Sequence, residues 1–154
     1  MVAGREPRPV VPGVYKKGDV RLEDVVAAVK ADPCFSEVGA LTSFVGVVRS
    51  TSQDPASGKG VTGMLVEANE PLANQALRDI CRTLEREEDD VKRVVICHLV
   101  GQFGVSEDLV YVVVAAGHRK AAFTALERAV EMYKRAAAIW KKEIFGDGTG
   151  RWVS

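Results

Sequence analysis

Basic side chains are concentrated between His118 and Lys142. This segment contains seven lysines and arginines against two glutamates, whereas the complete sequence balances 21 basic residues with 21 acidic ones. Most runs of like charge in proteins are solvated helix faces. Gathered around a pocket, however, the same cations would bind phosphate or carboxylate groups. The positions of individual side chains therefore have to decide between these two interpretations.

His118 and Arg119 occupy a junction between two predicted elements. They follow residues 110–117 (VYVVVAAG), which predict the end of a buried strand, and they precede a predicted helix. Ligands often bind where the strands of open α/β sheets end, and helix N-termini attract anions. The position of this pair therefore favours an anion-binding role over a solvated one.

Lys134 and Lys141 lie seven residues apart in residues 132–143 (MYKRAAAIWKKE). In an unbroken helix, seven steps of about 100° would place both lysines on one face, about 10 Å apart along the axis. Each could stay hydrated by extending along Tyr133 or Trp140, which is the commoner arrangement. If either ammonium were partly buried near other cations, its pKa would fall and it could act as a base or nucleophile. Periodicity leaves both interpretations open.

Strands and helices are predicted to alternate along the chain, which indicates a single-domain α/β or α+β fold. Segments rich in β-branched residues predict strands at residues 39–48, 61–68, 91–100 and 108–117. The helical spacing of apolar residues predicts helices at residues 21–32, 69–84 and 120–136. The domain is expected to span residues 20–154, after an irregular N-terminal lead-in at residues 1–19.

The connections between these elements carry their own signals. Asn69 is expected to cap the second helix, with Pro71 in its first turn. Residues 50–60 (STSQDPASGKG) are mostly polar turn formers and predict a mobile loop, which we call the polar loop. The third helix is expected to turn Phe123 inward, and the glycines of the C-terminal segment predict turns before Trp152.

Composition limits the classes of function that the chain can have. With 47% hydrophobic residues it can build a core, and its formal net charge of zero argues against nucleic acid or an anionic membrane as a partner. No apolar run approaches the ~20 residues that span a bilayer, and the N-terminus lacks the apolar stretch of a secretory signal. Three widely spaced cysteines favour a reducing cytoplasm, and no group of residues has metal-ligand spacing.

Cys81, Cys97 and His98 fall within predicted apolar elements. We interpret the two thiols as core residues. His98 is interpreted as a strand histidine, and a position in the wall of a pocket is the alternative.

Four motifs occur in a fixed order along the chain. They are Phe44-x-Gly46-x-Val48-Arg49, His118-Arg119 before Ala122-Phe123, Lys134 before Ile139-Trp140-Lys141-Lys142-Glu143, and Asp147-Gly148 before Trp152-Val153. Together they resemble the large, catalytic subunit of molybdopterin synthase, from about residue 22 to residue 153. The resemblance has three departures: Ala138 stands where a proline is common, Leu99 where an arginine is common, and residues 66–69 lack two aromatic side chains.

The resemblance implies a sulfurtransferase of molybdenum cofactor biosynthesis in the cytoplasm. Such enzymes convert cyclic pyranopterin monophosphate (precursor Z) to molybdopterin by inserting two sulfurs as a dithiolene. The sulfur arrives as a thiocarboxylate on the C-terminal Gly-Gly of a small ubiquitin-like subunit. The implied fold is an α/β hammerhead with a mixed or antiparallel sheet and flanking helices. Two large subunits form a homodimer within a heterotetramer, and no cofactor or metal is implied.

The resemblance also assigns roles to particular residues. Lys134 is expected beside the thiocarboxylate carbon, and Lys141 is expected to stabilise negative charge or transfer a proton on the pterin side. The remaining substrate-binding candidates are Arg49, His118 and Arg119 as anchors for phosphate and pterin, Phe44 as a pocket wall, Lys142, and Glu143 as a group that orients a lysine. For three of these, alternatives stay open: strand core for Phe44, a solvated position for Lys142 and an exposed carboxylate for Glu143.

Two other classes of function also fit these residues. The chain could bind the Gly-Gly tail of a ubiquitin-like partner without sulfur chemistry. It could instead be a general anion- or nucleotide-binding module that uses the same basic region.

Overall fold

The computed structural model describes residues 9–153. Its strands are β1 (Gly13–Lys16), β2 (Ala40–Val47), β3 (Val61–Ala68), β4 (Val91–Gly104), β5 (Asp108–Ala116), β6 (Ile139–Phe145) and β7 (Gly150–Val153). Its α-helices are α1 (Leu22–Lys30), α2 (Glu70–Glu87) and α3 (Arg119–Ala136). The strands form one sheet in the order β2-β5-β4-β3-β6-β7, with β1 paired to β4. The pairing of β1 is parallel and the other pairings are antiparallel, so the predicted α/β fold with a mixed sheet and flanking helices is confirmed.

Strand β4 belongs to two parts of this sheet. Its first half pairs with β5, and its last four residues, from Gly101 to Gly104, pair with β3. Gly101 has a φ of 130°, in the region that favours glycine, so the strand can change direction there without strain. Residues 101–104 lie after the end of the strand predicted at 91–100, and in the structure they continue it into the second part of the sheet.

The core forms where helices pack on the first part of the sheet. Every residue of β5 from Leu109 to Ala116 is buried, which shows that both faces of this strand are covered. Helix α2 packs on β4, and α3 packs on β5 and β2. None of the described helices combines the length and apolar composition needed to cross a bilayer.

Helix α2 follows the prediction from its local signals. The Asn69 side chain accepts a hydrogen bond from the backbone N–H of Leu72, and Pro71 lies in the first turn. The buried face consists of Ala73, Leu77, Ile80, Cys81 and Leu84. Leu72, predicted by its spacing to begin this apolar stripe, is instead 61% exposed. Because cap and stripe are both local features of the sequence, they needed no knowledge of the rest of the fold.

The lead-in predicted to be irregular contains a strand. Residues Gly13–Lys16 form β1, and Gly13 to Lys16 align with Cys97 to Val100 of β4. The Asn74 side chain of α2 accepts a hydrogen bond from the backbone N–H of Val14 at 2.7 Å. The prediction is wrong here because four residues are too few to show an alternating pattern. Residues 1–8 and 154 lie outside the described residues.

The stretch from Met132 to Glu143 is not one helix. Helix α3 ends at Ala136, Ala137 has the extended angles φ −76° and ψ 137°, and β6 begins at Ile139. Alanine favours helix, but β6 pairs with β3 along its whole length, and this pairing decides the local structure. After β6 the chain turns and pairs again as β7, so the predicted C-terminal turns are followed by a strand.

Phe123 is 61% exposed, which contradicts its predicted inward position. The buried face of α3 is formed by Ala122, Ala125, Ala129 and Tyr133. Phe123 follows the first of these by one residue, which turns it about 100° away from the core.

Candidate active site

A cavity of about 560 Å³ is lined by residues from both parts of the sheet. The first part contributes residues of β2, β4 and β5, and the second contributes residues of β3, β6 and β7. The C-terminal turn of α3 and the polar loop complete the wall. Five of the eight predicted site residues line this cavity: Phe44, Arg49, Lys134, Lys141 and Glu143.

The break between α3 and β6 brings the two lysines to one cavity. Lys134 lies in the last turn of α3, and Lys141 lies in the strand that follows, beside Val66 of β3 and Val153 of β7. Side chains alternate between the two faces of a strand, so Lys141 and Glu143 share the face toward the cavity. The change from helix to strand, and not helical periodicity, therefore places Lys134 and Lys141 at one cavity.

The alternation of β6 also explains two residues that lie outside the cavity. Trp140 and Lys142 take the opposite face, where Trp140 is 52% exposed. The Lys142 ammonium lies 5.6 Å from the centre of the Trp152 ring. Trp140 thus does not pack beside Lys141, and Lys142 contacts an aromatic ring on the outer face.

Lys141 is the cation most affected by its surroundings. Burial, and then the nearby charge of Lys134, lowers its pKa from 10.5 to about 8. At neutral pH the group is still mostly protonated, but it can release a proton far more easily than an exposed lysine. This property suits a group that both stabilises negative charge and transfers a proton.

The cavity holds cations without carboxylate partners. Among residues 9–153, none of the ion pairs involves Arg49, Lys134 or Lys141. The one carboxylate in the wall, Glu143, is engaged elsewhere. Three positive groups therefore face the cavity without an acidic partner, which makes it suited to anionic ligands.

Glu143 fastens the polar loop to β6. It is 1% exposed, so the alternative of an exposed carboxylate is wrong. One carboxylate oxygen accepts a hydrogen bond from the Ser52 hydroxyl at 2.7 Å, and the other accepts one from the Gln53 backbone N–H at 3.0 Å. Asp54 adds an ion pair with Arg151 of β7. These contacts place the polar loop against the cavity, and sequence could not reveal them because about 90 residues separate the partners.

His118 and Arg119 lie away from the two lysines in the same chain. They begin α3, and Lys134 ends it, so about 24 Å of helix separates the two positions. The His118 side chain is 86% exposed, and its Nδ1 lies 3.1 Å from the carboxylate of Asp90. Neither residue lines the cavity. Within one chain the structure does not bring this pair together with Lys134 and Lys141, and its role in substrate binding stays a prediction.

The cysteines take the positions expected of core residues. Cys81 and Cys97 are buried, and burial raises the pKa of both thiols, that of Cys81 to about 12. Neither thiol lines the cavity. Both side chains thus remain protonated at neutral pH and pack as apolar groups.

His98 does line the cavity, which was the alternative interpretation of this residue. It is fully buried in β4, and its ring meets the Tyr133 ring edge-on, with the ring centres 5.8 Å apart. Burial, and then the charge of Lys141, lowers its pKa from 6.5 to about 3. His98 is therefore a neutral imidazole in the wall of a cationic cavity.

Comparison with known proteins gives one consistent result. Residues 15–136 match the family described as MoaE protein. The chain is 36% identical over 112 residues to the molybdopterin synthase catalytic subunit of Dictyostelium discoideum, covering 72% of this chain and 68% of that protein. It is 34% identical over 137 residues to the same-named subunit of Bacillus subtilis (strain 168), covering 89% of this chain and 81% of that protein.

A solved structure shares the fold. The crystal structure of molybdopterin synthase from Staphylococcus aureus superposes with a TM-score of 0.79 at 26% identity, covering 92% of this chain and 96% of that one. The family match covers most of the chain, from β1 to the end of α3. The chain belongs to the MoaE protein family.

Proposed function

We propose that this chain is the catalytic subunit of a molybdopterin synthase. In this role it converts precursor Z to molybdopterin with sulfur from a thiocarboxylate on a small ubiquitin-like subunit. One observation carries the proposal: Arg49, Lys134 and Lys141 face one cavity without a carboxylate partner. The substrate has a phosphate and the sulfur donor is an anionic thiocarboxylate, so such a reaction needs a cavity that accepts two negative groups.

The two lysines divide the chemistry in this proposal. Lys134, at the end of α3, acts beside the thiocarboxylate carbon and assists attack or proton transfer. Lys141 stabilises negative charge on the pterin side and can exchange a proton, which its pKa of about 8 favours. Arg49 holds the phosphate with directed hydrogen bonds, and Phe44 forms an apolar wall. The proposal includes no metal and no cofactor.

The proposed assembly and location follow from the family. The C-terminal Gly-Gly of the small subunit enters the cavity, and two copies of this chain form the centre of a heterotetramer. The complex works in the cytoplasm.

The test is reconstitution from purified components. The protein is mixed with precursor Z and the thiocarboxylated small subunit, and dithiolene product is measured. Product formation is expected. A stable complex without product would favour a protein that only binds the Gly-Gly tail, and tight binding of nucleotides without any complex would favour a general anion-binding module.

Lys134→Ala tests the role assigned to Lys134 beside the thiocarboxylate carbon. Turnover is expected to fall at least about 100-fold, the usual contribution of a positioned acid or base, while binding of the small subunit is retained. Lys120→Ala, at an exposed lysine of the same helix that does not line the cavity, is the matched control. Near-normal turnover of Lys134→Ala would contradict the assignment.

A further inference from the structure

The ring of His98 is held in one tautomer. Its Nδ1 lies 2.9 Å from the backbone carbonyl oxygen of Leu99. A carbonyl oxygen can only accept a hydrogen bond, so Nδ1 must carry the proton and donate it. Nε2 of the neutral ring is then a lone-pair acceptor. The Tyr133 ring packs against the imidazole edge-on, with the two ring planes at 75°.

This acceptor has no partner. Among the side chains of residues 9–153, Nε2 of His98 is the only buried nitrogen or oxygen without a hydrogen bond. An unsatisfied polar atom in a buried position destabilises a fold, and proteins retain few of them. His98 also belongs to the cavity wall, so a ligand that fills the cavity and displaces the side chains covering Nε2 can supply the missing donor.

The other polar groups of the cavity have different preferences. Arg49, Lys134 and Lys141 carry only donors and suit the anionic parts of a ligand. Both carboxylate oxygens of Glu143 already accept hydrogen bonds from the polar loop. His98 therefore adds an acceptor to a cavity in which the charged groups still free to bind a ligand are donors.

We propose that His98 binds the heterocyclic part of the substrate by accepting, at Nε2, a hydrogen bond from one of its ring N–H or amino groups. The proposal rests on the proposed function, in which the ligand is a pterin phosphate. Arg49, Lys134 and Lys141 bind the anionic groups of the ligands, and His98 binds the nitrogen heterocycle. His98 is thus a specificity-determining residue, which distinguishes an N–H-bearing ring from an anion of similar size.

A matched pair of variants tests this role. His98→Gln retains an acceptor at the end of a side chain, whereas His98→Met has a similar length and lacks a strong acceptor. In His98→Met, the N–H group of the substrate's heterocycle is buried without a hydrogen-bond acceptor. The dissociation constant of precursor Z is therefore expected to rise about 10- to 100-fold. His98→Gln is expected to stay within about threefold to fivefold of the natural protein. Binding is measured by equilibrium titration without the small subunit.

Two further readouts separate a binding role from a structural one. Inorganic phosphate, used as a competitor, is expected to bind equally well to both variants, because the three cations are unchanged. In turnover assays, His98→Met is expected to raise KM for precursor Z and to leave kcat within about threefold. Equal affinity of both variants for precursor Z, or a parallel loss of phosphate binding, would overturn the proposal.

A measurement on the natural protein covers the case in which His98→Met does not fold. The chain has two histidines, so the imidazole nitrogens can be resolved by ¹⁵N NMR. The unprotonated Nε2 resonance of His98 is expected to shift when precursor Z binds, and to stay in place with inorganic phosphate alone. No shift at saturating precursor Z would refute the proposal. If the natural protein binds precursor Z through His98 but yields no product, the proposed function fails and this inference stands.

Discussion

Replacement of Lys141 by methionine is expected to stabilise the protein at neutral pH and to lose most of that effect in alkaline solution. Burial and the charge of Lys134 lower the pKa of Lys141 from 10.5 to about 8. Because a tenfold change in an equilibrium constant equals about 1.4 kcal/mol, the protonated side chain costs the folded state about 3.4 kcal/mol. Methionine has a similar length and no charge, so it removes this cost.

The sign of the pH dependence follows from proton binding. Below pH 8 the lysine is protonated in both the folded and the unfolded chain, and the folded state carries the full cost. Between pH 8 and 10.5 the unfolded chain binds more protons, so the stability of the natural protein rises with pH. At about pH 9.5 the remaining cost is about 1.4 kcal/mol. The stability difference between the two proteins should therefore shrink by about 2 kcal/mol between about pH 7 and about pH 9.5.

The assay is urea unfolding of both proteins at these two pH values and at one protein concentration. Differences in packing between lysine and methionine do not depend on pH. A change with pH in the difference between the two free energies of unfolding therefore reports the ionisation of Lys141. Lys120→Met, at an exposed lysine of α3, controls for the effect of the same replacement on the unfolded chain. A difference that changes by less than about 0.5 kcal/mol between the two pH values would refute the assignment of Lys141 as a partly buried ammonium.

Three other changes have defined outcomes. Lys134→Met removes the nearby like charge, so the pKa of Lys141 should rise. It should stay below 10.5, because burial is the larger cause of the shift. NMR titration of the Lys141 side chain measures this pKa. Glu143→Ala leaves the donors of the polar loop without an acceptor, so limited proteolysis should cut that loop faster than in the natural protein. The control is Glu67→Ala, at an exposed glutamate of β3. Equal rates of cleavage in the two variants would contradict the contact. Asn69→Ala removes the cap of α2 and should lower the free energy of unfolding by about 1 kcal/mol, measured by urea unfolding; no loss would show that the cap is unimportant.

Local signals in the sequence predicted those parts of the fold that depend on local interactions. The cap and stripe of α2 needed only the residues around Asn69 and Leu77, and the buried strands β4 and β5 needed only their β-branched composition. The end of α3 at Ala136 agrees with the helix predicted at residues 120–136. Strand β6 was not predicted, because it forms by pairing with β3, about 75 residues earlier.

The residues of the site also differ in whether local sequence could predict them. Motifs selected Arg49, Lys134 and Lys141, and all three line the cavity. The anchoring of Glu143 by Ser52 depends on a contact across 91 residues and has no local signal. The same holds for the unpaired nitrogen of His98, which depends on how β4, α3 and β6 pack around one ring.

Because α3 ends at Ala136 and β6 begins at Ile139, the two lysines belong to separate elements. Lys134 moves with the end of a helix, and Lys141 is fixed in a sheet by two neighbouring strands. Coulomb repulsion depends on the distance between the charges, so a small displacement of the helix end changes the acidity of Lys141. A ligand that draws the helix toward the sheet would promote release of a proton, and one that pushes it away would promote uptake. The acidity of Lys141 therefore depends on the position of the end of α3 relative to the sheet.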